Sequence, residues 1–209
     1  WHNPTLSKDG QTITDEWSSP TIYRQIDSID VATGKILTVD SRPITDSSDF
    51  PQIKVGTIKA ADGVTDLYYR LVLPVGFDPA KKYPTVVYVY GGPHAHMISN
   101  SRYYGMRNLD LEMARKGYVM FCLDNRGSEH RGLEFEQVTF RQLGVEEMKD
   151  QMKGVEFLKS LPYVDADRMG VHGWSFGGFM TTSLMTTYPD VFKAGVAGGP
   201  VIDWKYYEV

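Results

Sequence analysis

Along the first part of the chain, apolar and polar residues alternate over short runs that are broken by turn chemistry about every ten residues. Ser7-Lys8-Asp9-Gly10 is a turn signal. Strand-like runs follow at 11–17 and 22–31, and Ala32-Thr33-Gly34-Lys35 turns the chain into Ile36-Leu37-Thr38-Val39. Short antiparallel hairpins of this kind suit one blade of a propeller or the edge of a sandwich. The polar stretch 41–48 marks the expected boundary, which gives two regions, 1–48 and 49–209.

Beyond residue 53 the period changes. Runs 53–60 and 67–73 flank Ala61-Asp62-Gly63 and predict an antiparallel pair. Residues 85–90, Thr-Val-Val-Tyr-Val-Tyr, form a nearly continuous β-branched and aromatic run, the pattern of a strand buried on both faces. Strands and helices then alternate. Met106, Leu109 and Met113 predict one helix face, with Arg115, Lys116 and Gly117 at its C-terminus. A strand at 118–123 follows. Val145, Met148, Met152, Val155 and Leu158 recur at i+3 and i+4 and predict an amphipathic helix with an opposite charged face. Residues 168–173 read as a strand, 176–187 as a helix and 192–197 as a further strand. Such alternation predicts an α/β fold, a mostly parallel sheet with helices on both faces. The active site is then expected at the C-terminal ends of the strands.

Composition adds few constraints. The 209 residues carry a net charge of −4 with no long run of one sign, which disfavours nucleic acid and anionic membrane surfaces as partners. No stretch approaches the roughly 18 apolar residues of a membrane span. The single cysteine, Cys122, sits in an apolar run and reads as a small buried hydrophobe. The chain starts at Trp1-His2-Asn3-Pro4 without an initiator Met and is read as an internal segment of a longer protein, a reading that leaves targeting open.

Chemistry enters at Gly173-Trp174-Ser175-Phe176-Gly177, a G-x-S-x-G string between a predicted strand and a predicted helix. That context defines a nucleophile elbow, in which flanking glycines allow a turn too tight for side chains and the serine hydroxyl stands clear of the sheet. The plainer alternative is a glycine-rich helix start with Ser175 as N-cap. A second string, Gly91-Gly92-Pro93-His94, ends the strand 85–90, where α/β-hydrolases carry their oxyanion loop. His94 and His96 have the spacing of a metal pair but lack a third ligand. They are read as loop histidines, so no metal and no cofactor are expected. His172 is read as packed in the strand entering the elbow.

Taken with Val89-Tyr90-Gly91-Gly92-Pro93-His94, Leu123-Asp124-Asn125-Arg126-Gly127-Ser128 and Pro200-Val201-Ile202-Asp203-Trp204-Lys205-Tyr206-Tyr207, the elbow resembles the prolyl oligopeptidase family of serine peptidases, in its dipeptidyl peptidase IV branch. The resemblance covers most of residues 80–209. It implies an α/β-hydrolase peptidase domain preceded by the end of a β-propeller. It also implies that Ser175 attacks the scissile carbonyl of a peptide substrate and that the oxyanion is held by the Phe176 backbone N–H and the Tyr90 hydroxyl. Val201, Trp204 and Tyr207 would line an apolar pocket for the residue before the cut, typically proline. Phe176 departs from the tyrosine often found after the serine, which keeps the backbone donor but removes a hydroxyl. The resemblance further allows a homodimer of the whole protein and leans toward an extracytoplasmic location. An acylaminoacyl peptidase or esterase of the same fold, or a non-catalytic binding module, are the competing readings.

In α/β-hydrolases the triad runs Ser, Asp, His. No histidine follows Ser175, and Asp203 falls inside the pocket string. The acid and base are therefore expected beyond Val209. The isolated segment is expected to be inactive and, with its last strand lacking a neighbour, to fold poorly alone.

Overall fold

The computed structural model describes residues 1–44, 50–102 and 105–207. Half of the boundary expected at 41–48, residues 45–48, lies outside the described residues, as do Glu208 and Val209. The chain divides into two compact units, one of residues 1–50 and 99–107, the other of residues 51–98 and 108–209.

The first unit is a four-stranded antiparallel meander, β1 (His2–Leu6), β2 (Thr12–Ser19), β3 (Ile22–Asp30) and β4 (Ile36–Pro43), in that spatial order. Three of the strands follow the alternation in the sequence; β1, with Pro4 at its centre, does not. Gly10 and Gly34 take positive φ in the connecting turns, as the turn residues predict. Inside the sheet, Asp27 accepts hydrogen bonds from the Trp17 indole at 2.7 Å and from the Thr38 hydroxyl at 2.8 Å. Strand β4 leaves Ile36, Leu37 and Val39 each more than 60% exposed.

The second unit is α/β. Its strands are β5 (Ile53–Lys59), β6 (Asp66–Val72), β7 (Tyr83–Tyr88), β8 (Val119–Leu123), β9 (Val164–Trp174) and β10 (Ala194–Gly198). Its helices are α1 (Asn108–Arg115), the short α2 (Leu133–Glu136), α3 (Glu146–Ser160) and α4 (Phe176–Thr187). The sheet order is β10-β9-β7-β8-β6-β5. β5, β6 and β8 pair antiparallel, whereas β8, β7, β9 and β10 pair parallel, so the sheet is mixed. The continuous run at 85–90 supplies the sheet's centre, with Thr85, Val87, Tyr88 and Val89 buried. The parallel strands all end at one edge, and the loops after β7, β8, β9 and β10 converge there.

Two helices bury polar residues that their apolar spacing does not predict. In α1 the buried residues are Asp110 and Ala114, while Leu109 is 47% exposed. The cause is Arg70 of β6, itself buried, which donates to the Asp110 carboxylate at 3.2 Å and draws that face inward. In α3 Val155 and Leu158 are buried and Met148 and Met152 pack partly buried against the core, as expected; Val145 is exposed, and the buried face also takes in Glu147, Asp150, Gln151 and Gly154. Asp150 and Gln151 are held by polar groups of the loop after β8.

Candidate active site

The elbow is built from strand β9, one serine and helix α4. Ser175 has φ 57° and ψ −117°, a positive-φ conformation that is costly for a residue with a Cβ. Its N–H donates to Gly198 O at 2.8 Å, which ties the bend to β10. The glycines on either side are required by an approaching carbonyl. A Cβ on Gly173 would stand 2.2 Å from Val89 O, and a Cβ on Gly177 would stand 2.2 Å from the same atom. The end of β7 is thus wedged between the two elbow glycines, and Tyr90 leaves the sheet directly beside the serine.

Ser175 stands at the N-cap position of α4, yet its side chain makes no capping bond. Among the described residues no hydrogen bond reaches its hydroxyl or that of Tyr90. Ser175 is half-buried and shares a cleft of about 470 Å³ with Tyr90, Phe176, Val201, Trp204 and Tyr207. All six residues singled out from the sequence therefore meet around one space. As the first residue of α4, Phe176 carries a backbone N–H with no acceptor inside the helix.

The walls are aromatic. The Trp204 ring lies 5.4 Å from Phe176, 5.3 Å from Phe179 and 5.4 Å from Tyr207, centroid to centroid. Phe176 also packs 6.1 Å from the Tyr90 ring and covers Gly92, where an added Cβ would reach 2.5 Å from its ring. The buried ring accounts for the glycine at 92, a position the sequence pattern offered only as part of an oxyanion-loop string.

Three further residues line the cleft: Pro93, His94 and Leu143. No sequence signal points to Leu143. His94 adopts a positive φ of 56° and also lines an adjoining trough of about 710 Å³ that shares Pro93, Leu143 and Trp204 with the cleft. His172 is half-buried, with its ring 5.1 Å from that of Tyr88. Cys122 is buried in β8.

Behind the cleft lies a polar cluster. Arg126 donates from Nε to Asp150 Oδ2 at 2.9 Å and from Nη2 to Asp150 Oδ1 at 2.9 Å and Glu146 Oε2 at 2.9 Å. The bonds to Asp150 hold the guanidinium pKa above its ordinary value. Burial pushes the Asp124 carboxyl upward, against the N–H groups of Met97 and Ile98 that donate to it at 3.0 and 3.1 Å.

A serine on a strained strand-to-helix bend, at the carboxyl edge of a mixed sheet, defines the serine-hydrolase class of α/β proteins. The sequence itself narrows this further. The model of the prolyl oligopeptidase family matches residues 107–209. Human dipeptidyl peptidase 8 is 38% identical over 162 residues, 77% of this chain and 18% of the relative. Prolyl endopeptidase FAP of Mus musculus is 31% identical over 157 residues, 75% of this chain and 20% of the relative. Among solved structures, a protein assigned as dipeptidyl aminopeptidase IV from Bacteroides ovatus superposes with a TM-score of 0.95 at 57% identity, over 99% of this chain and 29% of that one. Dipeptidyl peptidase 4 of Porphyromonas gingivalis superposes with a TM-score of 0.84 at 29% identity, over 98% and 29%. The chain belongs to the prolyl oligopeptidase family of serine peptidases, in its dipeptidyl peptidase IV branch. It spans about a fifth of the length of the curated relatives it matches.

Proposed function

We propose that the whole protein cleaves peptides after proline and releases N-terminal dipeptides through an acyl-enzyme on Ser175. The observation that carries this reading is the strained, half-buried Ser175, whose hydroxyl makes no capping bond and which lines the same aromatic-walled cleft as Tyr90. Ser175 Oγ attacks the carbonyl carbon, and its proton passes to a base supplied by the rest of the whole protein. The oxygen that gains charge is held by the Phe176 N–H and the Tyr90 hydroxyl, donors worth about 3–4 kcal/mol each because they act on charge present only in the transition state. Collapse expels the amine, which takes that proton from the base, and water then hydrolyses the ester, giving its own proton to the base and freeing Ser175. Trp204, Tyr207 and Val201 enclose the residue before the cut, where flat rings suit a rigid pyrrolidine.

In this reading residues 49–209 are the first part of an α/β-hydrolase domain, with helices on both faces of the sheet, and residues 1–48 are the end of a β-propeller. The exposed apolar side chains on both faces of β4 support the latter, since a propeller blade is covered by a neighbouring blade on each side. The isolated segment, without its base, is expected to be inactive. The test uses the full-length protein. A fluorophosphonate probe should label it, Ser175→Ala should abolish labelling, and a Gly-Pro chromogenic amide should be turned over faster than acetyl-Ala amides or simple esters. Labelling that survives Ser175→Ala removes the serine from its role, and preference for the other substrates removes the post-proline assignment.

A further inference from the structure

The three residues that follow β8 are absent from the lining of the cleft, yet each is tied to what surrounds it. Asp124 accepts the N–H groups of Met97 and Ile98 and so fixes the far end of the loop that begins at Gly91. Asn125 Nδ2 donates to Gly91 O at 3.0 Å and to Arg126 O at 2.7 Å, fixing the near end. Arg126 grips Asp150 of α3 through two parallel bonds. One residue further along the same helix, Gln151 Nε2 donates to Asn125 Oδ1 at 2.8 Å and to Leu123 O at 3.1 Å.

The Asn125 amide can be oriented in only one way. Rotated by half a turn, it would set its oxygen against two carbonyl oxygens and its nitrogen against the Gln151 donor. Asn125 is 1% exposed and Gln151 2%, so water does not compete for these bonds. Gly91 needs the anchor: it has φ 78°, a conformation with no steric preference of its own in glycine, and it directly follows Tyr90.

We propose that Asn125, buttressed by Gln151 of α3, is a positioning residue that sets the Tyr90 hydroxyl by clamping the Gly91 carbonyl. This rests on the oxyanion role given to Tyr90 above. A donor in an oxyanion hole acts only where the charge develops, so a loosened loop lowers turnover without weakening substrate capture. The clamp gives a reason for the buried Gln151 of α3, and it assigns Asn125 a mechanical task at the site.

The test is a double-mutant cycle in the full-length protein, read as kcat and KM on Gly-Pro p-nitroanilide and as the rate of fluorophosphonate labelling, with a melting curve for each variant. Asn125→Ala should lower kcat about tenfold and leave KM within about twofold. In a Tyr90→Phe background the same substitution should change kcat less than about twofold, because the group it positions is already gone. An equal loss in both backgrounds, or no loss in the wild-type background, overturns the proposal and leaves the Tyr90 role intact. If Tyr90→Phe alone leaves kcat unchanged, the oxyanion role fails and takes the clamp with it. Should Asn125→Ala not melt cooperatively, Gln151→Leu replaces it in the cycle, and the same outcomes support or overturn the clamp. General loosening of the fold would multiply with Tyr90→Phe and would not vanish in its presence.

Discussion

Replacing Gly173 by alanine places a methyl 2.2 Å from Val89 O and 2.4 Å from Gly177 O. Ordinary carbon–oxygen contacts lie at about 3.3 Å or more. Relief therefore requires the end of β7 or the elbow to move by about 1 Å, and both obstacles are backbone with no rotamer to change. Overpacking of this kind costs about 1–3 kcal/mol, and backbone obstacles put this site at the upper end. The motion falls between Tyr90 and Ser175, where a displacement of about 1 Å costs about a hundredfold in rate. Gly170, on the same strand, is the control: a Cβ there meets only Ala194 O at 3.4 Å. Gly170→Ala should stay within about 1 kcal/mol of wild type. Urea unfolding of the full-length variants gives the stability difference, and fluorophosphonate labelling gives the reactivity. If Gly173→Ala unfolds at the same midpoint as Gly170→Ala and labels at the wild-type rate, Val89 is not wedged in the elbow.

Three further outcomes follow from the geometry. Arg126→Leu takes the ion-pair partner from the fully buried Asp150, which keeps only the backbone N–H groups of residues 61 and 126, and should destabilise the protein by about 3–5 kcal/mol in urea unfolding. Asp62 accepts from the Thr65 hydroxyl at 2.6 Å and from the Thr65 and Val64 N–H groups, which hold its carboxyl at about 2. A lowered folded-state value means that its stabilisation is present above the unfolded pKa of about 3.9 and fades as pH falls toward 2. Thermal melts between pH 7 and pH 2 should therefore show Asp62→Asn less stable at neutral pH and closing on wild type in acid. Trp204→Ala opens the aromatic wall and should raise KM for a Gly-Pro amide about tenfold while changing fluorophosphonate labelling much less; equal effects on both would make Trp204 structural only.

The elements and their order are written in the chain. Alternation with turn residues located β2, β3 and β4; β-branched continuity located β7; and the span of α4 agrees with the predicted 176–187. G-x-S-x-G between a strand and a helix also marked Ser175, because the steric demand of that bend is local and is carried by adjacent residues. The strings that carry Tyr90, Val201, Trp204 and Tyr207 were legible, and the structure gathers these residues at one cleft. Pro93 and His94 were legible only through the string that ends β7, and Leu143 was not legible as a cleft residue, since nothing local distinguishes it from any other loop residue.

The faces that α1 and α3 turn inward are settled by tertiary contacts instead. Apolar spacing pointed to Leu109 and Val145, yet Asp110, Asp150 and Gln151 are buried. Helical periodicity weighs each side chain by its own transfer free energy, in which a carboxylate always counts against burial. Burial becomes favourable for such a group only when a partner meets it, and those partners, Arg70, Arg126 and Asn125, come from other elements. Long-range contacts therefore set whether burying these residues helps or harms, and they exist only once the chain has folded.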